Sequence, residues 1–141
     1  MELSKEDLIA QTNKVCKNTL METLQIEFTD FGDNWLAAKM PVTQRVYQPA
    51  GILHGGATVA LAESVGSFAS HIFLNLNEVF VRGIEINANH LKSVSEGFVH
   101  AKAIFIHKGR TTQLLEIKIT DDHDNLISIC KLTTISLPKK K

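Results

Sequence analysis

Cysteine is scarce: Cys16 and Cys130 are the only two in 141 residues. That is too few for a disulfide framework, and a reduced, cytoplasmic setting is the simpler expectation. Net charge is missing as well. Fifteen Lys and Arg balance fifteen Asp and Glu, so no general field draws the chain to nucleic acid or to a membrane. A polyanionic ligand needs a local basic cluster instead. Residues 1–14 are polar and hold no signal-peptide apolar core. Long linkers, repeats and low-complexity blocks are absent. One apolar run, Gly56 to Leu76, approaches membrane-spanning length, but it carries Glu63, His71 and three serines, a costly load in lipid. It reads as a core helix. With 44% hydrophobic and 21% charged residues, the chain has the balance of one globular domain spanning residues 1–141.

Ser4 followed by Glu6 and Asp7 has the form of a capped helix start. Leu8, Val15 and Leu20 then space an amphipathic helix to about residue 20. Leu24–Thr29 and Trp35–Met40 alternate as strands, and Gly32-Asp33-Asn34 between them makes a hairpin turn. Residues 42–53, with Pro49 and Gly51, read as an ordered loop. A helical pattern begins at Gly55 and runs to about Leu74. Beyond it, Val79–Leu91, Gly97–His107, Thr111–Thr120 and Leu126–Leu137 read as four strands rich in Val, Ile, Phe and Thr. Short breaks separate them, so consecutive antiparallel hairpins are expected. A helix that is apolar on most sides must be covered on most sides. The economical solution is an α+β architecture, a curved antiparallel sheet wrapped around one long central helix. Pro138 and the three lysines after it read as a solvated end.

The stretch from Gln48 to Ser67 carries the chemistry. Glu63 stands in the most apolar helix of the chain, among Val59, Leu61, Ala62 and Val65. A carboxylate buried there without partners costs several kcal/mol or shifts its pKa upward. It is either half of a structural ion pair or subunit contact, or a base or nucleophile poised in a dry pocket. Ser67, four residues on, shares its face. Gly56, Ala60, Glu63 and Ser67 form one stripe, small apart from the glutamate, that admits another backbone or a flat ligand. His54-Gly55-Gly56 opens the helix, where unpaired N–H groups and the helix dipole can polarise a carbonyl. Those donors lie two turns from Glu63, about 12 Å in axial rise. One helix cannot bring both to one carbonyl, so acyl chemistry here needs a pocket shared with a neighbouring subunit. His90 at a strand end reads equally as a ligand contact or a surface residue. His71, His100, His123 and the two cysteines show no metal spacing.

Met40-Pro41-Val42, Arg45, Gln48-Pro49, Gly51, Leu53-His54-Gly55-Gly56-Ala57 and Leu61 to Ser67 together resemble the hotdog-fold acyl-CoA thioesterases of the 4-hydroxybenzoyl-CoA and phenylacetate-degradation type. Within that group the chain is most similar to bacterial aryl-CoA thioesterases of menaquinone synthesis or siderophore proofreading. The resemblance continues through Gly83 to His90 and the Leu132-Thr133-Thr134 strand. It implies that Glu63 attacks the thioester or activates water, that the Gly55 N–H polarises the carbonyl, and that His54 shapes the loop. Gln48 would orient carbonyl or water, and Ser67 would bond near Glu63 or the acyl group. Coenzyme A contacts are implied at Gly83, His90, Lys92 and Ser93, and at the Lys108-Gly109-Arg110 turn. Lys92, Lys108 and Arg110 would be the basic cluster for its phosphates. Phe68 departs from the smaller or more flexible residue usual in relatives and bears on acyl-pocket shape. A homodimer or homotetramer is implied, with no metal and no cofactor beyond the coenzyme A of the substrate. The acyl group is expected to be aromatic, of hydroxybenzoyl or hydroxynaphthoyl type, or of medium length. Two alternatives stand beside this reading: a hydratase or dehydratase on the same fold, which needs a helix histidine that His71 is too distant to supply, and a non-catalytic CoA-binding module, which leaves Glu63 without purpose.

Overall fold

The computed structural model describes residues 3–74 and 76–140. Its longest helix is α3 (Gly55–Phe73), and the rest is arranged on it. Before it come α1 (Lys5–Val15), α2 (Leu20–Thr23), β1 (Glu27–Gly32) and β2 (Trp35–Pro41). After it come β3 (Val79–His90), β4 (Phe98–Lys108), β5 (Thr112–Thr120) and β6 (Leu126–Pro138). One six-stranded sheet runs in the order β1-β2-β4-β5-β6-β3, every neighbour antiparallel. Strand alternation sets its inner face: Leu36, Ala38 and Met40 of β2 and Leu115, Ile117 and Ile119 of β5 are buried against the helix side. The central helix answers with Leu61, Ala62, Val65 and Ala69. This is the α+β wrap expected from the apolar helix.

The expected run of hairpins is wrong at one place. β3 does not pair with β4; it pairs with β6 and forms the far edge. Residues 91–97 cannot turn tightly because their backbone is engaged elsewhere. The Leu91 N–H donates to Ile127 O, Leu53 N–H donates to Val94 O, and Val42 N–H donates to Gly97 O. The segment therefore crosses from the β6 side to the β2 side, strapped over the N-terminal end of α3. The first helix also differs. Ser4 caps it as expected, its Oγ accepting from Asp7 N–H at 3.1 Å. It ends at Val15, however, and Asn18 turns left-handed (φ 62°) before α2 begins. Leu8, Val15 and Leu20 stay exposed.

Two features fix how α3 sits. A Cβ on Gly66 would stand 2.6 Å from Leu132 Cδ2 and 3.4 Å from Ile117 Cδ1, so glycine lets helix and sheet meet closely. Near the helix's C-terminal end a buried polar chain ties it to β5 and β6. Thr134 donates its hydroxyl to Gln113 Oε1 at 2.7 Å, so its own oxygen, 3.1 Å from Ser70 Oγ, accepts from Ser70. Gln113 Nε2 donates to Ser136 Oγ at 2.7 Å. Ser70, Gln113 and Thr134 are all 0% exposed, and a fully satisfied buried network of this kind specifies one packing. Gly66→Ala is therefore expected to lose about 1–3 kcal/mol of stability by overpacking, measured by urea denaturation. An unchanged midpoint contradicts the close approach.

Candidate functional site

The N-terminal end of α3 is assembled by three segments. His54 is the N-cap, and its Nδ1 accepts from Gly56 N–H at 2.8 Å. The Gly55 N–H has no partner among the described residues, leaving one backbone donor unpaired at the positive end of the helix. Gln48 is held by its own loop: its N–H donates to Ile52 O at 2.9 Å, and its Oε1 accepts from Ala50 N–H at 2.5 Å. Its side-chain NH₂ is left to donate. The strap over the helix completes a cavity of about 350 Å³, lined by Gln48, Gly55, Thr58, His90, Lys92 and Ser93 among others. Five residues named from the sequence thus meet in one place.

His90 faces Gly55 across this cavity, and a Cβ on Gly55 would stand 2.8 Å from His90 Nε2. The ring is oriented by Ser128, which the sequence did not mark. Ser128 Oγ donates to Asn89 O at 3.1 Å and lies 2.6 Å from His90 Nδ1. One hydroxyl proton serves one bond, so Nδ1 is the donor to Ser128, and Nε2 of the neutral ring is a bare acceptor turned to the cavity. Only the placement of a serine at a buried position of an apolar strand hinted at it, which is a weak signal.

Glu63 forms a second group. It is exposed in the chain rather than buried, because the sheet wraps one side of α3 and leaves the Gly56–Glu63 stripe uncovered. The expectation of a dry pocket around it within one chain fails for that reason. Its Oε2 stands 3.4 Å, and Ser67 Oγ 4.0 Å, from the point a Cβ on Gly83 would occupy. Glu63, Ser67 and Gly83 therefore meet at the β3 edge, while the Gly55 cavity does not include Glu63. Phe68 is turned away from that edge, its ring 4.9 Å from Phe28.

The proposed basic cluster does not exist within one chain. Strand pairing places Lys108 opposite Gln113, Gln113 opposite Thr134 and Thr134 opposite Gly83. His90 pairs with Ser128, six residues away along β6, roughly 20 Å at the strand rise. Lys92 lies beyond His90 at that end. Lys108, Gly109 and Arg110 turn at the other, where Lys108 Nζ donates to Asn34 Oδ1 at 2.8 Å. β4 carries the chain away from the strap, and this separates the charges. Elsewhere His100 is paired with Asp122 at 2.7 Å. The His100 side chain first, then the Phe98 N–H, hold the Asp122 carboxyl below the usual carboxylate range. Burial pushes the thiols of Cys16 and Cys130 up, so neither offers a ready thiolate. Among the described residues no three His, Cys, Asp or Glu side chains gather as metal ligands, and no helix is long and apolar enough to cross a membrane.

Removing the Ser128 hydroxyl tests the histidine arrangement. Imidazole ¹H–¹⁵N spectra of the wild type are expected to show neutral His90 protonated on Nδ1, and Ser128→Ala to move the proton to Nε2. A wild-type ring protonated on Nε2 contradicts the assignment.

Residues 50–128 match the Thioesterase superfamily. A Pasteurella multocida protein bearing an esterase name is 47% identical over 129 residues, 92% of each chain. The crystal structure of a Pseudomonas aeruginosa thioesterase, in a variant with one glutamine replaced by alanine, superposes with a TM-score of 0.91 at 41% identity, covering 93% of this chain and 94% of that one. Two structures of one Staphylococcus aureus protein, the second described as a thioesterase, superpose with TM-scores of 0.82 and 0.81. They are 38% and 37% identical, covering 85% and 84% of this chain and 99% and 98% of theirs. They carry a glutamate and a glutamine replaced by alanine, respectively, at positions 15 residues apart. With a helix wrapped in an antiparallel sheet, an unpaired N–H at the helix start and a carboxylate at the sheet edge, the chain belongs to the thioesterase superfamily of hotdog-fold hydrolases.

Proposed function

We propose that the chain is an acyl-CoA thioesterase for aromatic or medium acyl groups, with each active site shared between two copies. The observation that carries this reading is the separation of its parts. Glu63 and Ser67 stand at the β3 edge, the Gly55 donor and Gln48 sit in a cavity eight residues up the helix, and a thioester needs both. β3 is a twelve-residue edge strand paired on one side only, with Ile84 58% exposed and Phe80 36% exposed. A long edge with exposed apolar side chains is a liability unless covered. A second copy adding its β3 to this one covers the edge by two-fold symmetry. It also carries each Glu63 toward the partner's Gly55 cavity. Exposed Ile104 and Ile106 on β4 offer a further contact on which two dimers can form a tetramer.

In this arrangement the thioester carbonyl oxygen accepts from the Gly55 N–H, and the Gln48 NH₂ donates to the carbonyl or to water. Glu63 removes a proton from water as the water oxygen bonds to the carbonyl carbon. The tetrahedral oxyanion then reforms the C=O bond and expels the CoA thiolate, which takes the proton back from Glu63. Direct attack by the carboxylate, giving an anhydride that water opens, uses the same atoms. Label recovered in the Glu63 carboxylate after a single turnover in ¹⁸O-water marks that route. His90, Lys92 and Ser93 line the cavity by which the pantetheine arm would enter. Lys108 and Arg110 can meet the nucleotide phosphates only if the partner supplies them. The 15-residue spacing of the glutamine and glutamate replaced in the Staphylococcus aureus protein equals that of Gln48 and Glu63, which supports their pairing here.

Glu63→Gln is expected to lower kcat about 10²–10⁴-fold on an aroyl-CoA with the fold intact; a variant keeping more than a tenth of wild-type kcat rejects the role. Sedimentation at assay concentration is expected to give a dimer or larger. A fully active monomer contradicts the shared site.

A further inference from the structure

The first turn of α3 spends nearly all of its backbone donors on one residue. Gly56 N–H donates to His54 Nδ1, while Ala57 N–H and Thr58 N–H both donate to His54 O, at 3.0 and 3.2 Å. Only the Gly55 N–H is left over, and oxyanion sites are built from more than one donor. The Thr58 side chain is a second donor in the same place. It lines the cavity with Gly55, Gln48 and His90, and the residue is only 2% exposed.

Its hydroxyl is idle. Thr12 in α1 and Ser64 in α3 return theirs to the carbonyl four residues back, at 2.9 and 2.6 Å, a common use of such a side chain in a helix. Thr58 makes no such bond to His54 O, and no other protein group holds its oxygen among the described residues. Sealing an unpaired hydroxyl away from water is costly. Among the described residues no fully buried side-chain oxygen or nitrogen goes without a partner. The Thr58 oxygen therefore touches open space, and the open space beside it is the cavity. Helix geometry aims it further. Each Cα–Cβ bond tilts toward the helix N-terminus, so Thr58 leans over position 55, three residues back on the same face. Gly55 has no side chain to stand in the way. Its N–H and the Thr58 hydroxyl thus face one volume at the positive end of the helix.

We propose that Thr58 is a second oxyanion donor, its hydroxyl bonding to the thioester carbonyl oxygen together with the Gly55 N–H. The inference rests on the thioesterase reading above and adds a catalytic residue to it. The hydroxyl keeps its proton throughout. Its bond strengthens as the carbonyl electron pair moves onto oxygen and relaxes when the C=O bond reforms. An interaction that grows with that charge raises kcat without tightening substrate binding. Because the hydroxyl serves no protein partner, its removal leaves the fold intact.

Thr58→Val, close to the same shape, removes the hydroxyl, and Thr58→Ser keeps it. On an aroyl-CoA, Thr58→Val is expected to lower kcat at least about tenfold with KM little changed, one lost oxyanion donor typically costing about 10²–10³-fold. Thr58→Ser should recover most of that loss. The urea midpoint of Thr58→Val should equal or exceed that of the wild type. A ketone analogue of the aroyl-CoA, with a methylene in place of the sulfur and ¹³C at the carbonyl, gives a readout apart from turnover. Its bound C=O stretch should rise in frequency in Thr58→Val and fall back in Thr58→Ser. A Thr58→Val protein that keeps its kcat, changes KM alone, leaves the carbonyl stretch unmoved or loses activity in step with stability overturns the assignment and leaves the thioesterase reading in place. A wild type that cleaves no acyl-CoA overturns both.

Discussion

The close approach of α3 to the sheet at Gly66 is the constraint on which the other features depend. With no side chain there, Leu132 and Ile117 press against the helix backbone, and Ser70, Thr134 and Gln113 fix the helix along its length. Both features lie on the face of α3 turned to β5 and β6. The adjoining face, toward the β3 edge, is thereby left to solvent or to a partner, and it is the face that bears Glu63 and Ser67. A hydrophobic helix with a carboxylate on its uncovered side is a poor arrangement for a monomer and a good one for a shared site.

The same packing decides what the helix start can do. Because α3 is held, the strap of residues 91–97 has a fixed surface to cross, and it delivers His90, Lys92 and Ser93 beside Gly55 and Gln48. The cavity is polar through the donors that its residues leave over after satisfying each other: the Gly55 N–H and the Gln48 NH₂, with His90 Nε2 as acceptor. Each is set by a bond beside it: Gly56 N–H to His54 Nδ1, Ala50 N–H to Gln48 Oε1, and His90 Nδ1 to Ser128 Oγ. Preorganisation of this kind costs no reorientation when charge develops on a carbonyl oxygen.

Much of this was legible in the sequence, for physical reasons. The helix from Gly55 and the strands after it are written in hydrophobic period, and the structure moves their ends by only a residue or two. The pairing of β3 with β6 was not legible, because a seven-residue connection resembles a hairpin until its backbone partners are known. Glu63 announced itself by being charged in an apolar run, yet sequence could not say that the run has an open face. Ser128 was missed because its importance lies in which nitrogen of His90 it leaves unprotonated, a matter of contacts. The basic cluster was inferred from residue type alone, and strand direction dispersed it.

Mixed assembly tests the shared site most directly. Glu63→Gln and Gln48→Ala chains, each nearly inactive alone, are co-expressed and purified as a mixed population. A two-fold site that takes its carboxylate from one copy and its donors from the other regains one intact centre in every heterodimer, so activity should recover to about a quarter of wild type. A mixture no more active than its separate parents contradicts the account, since it would mean that each chain supplies both halves of its own site.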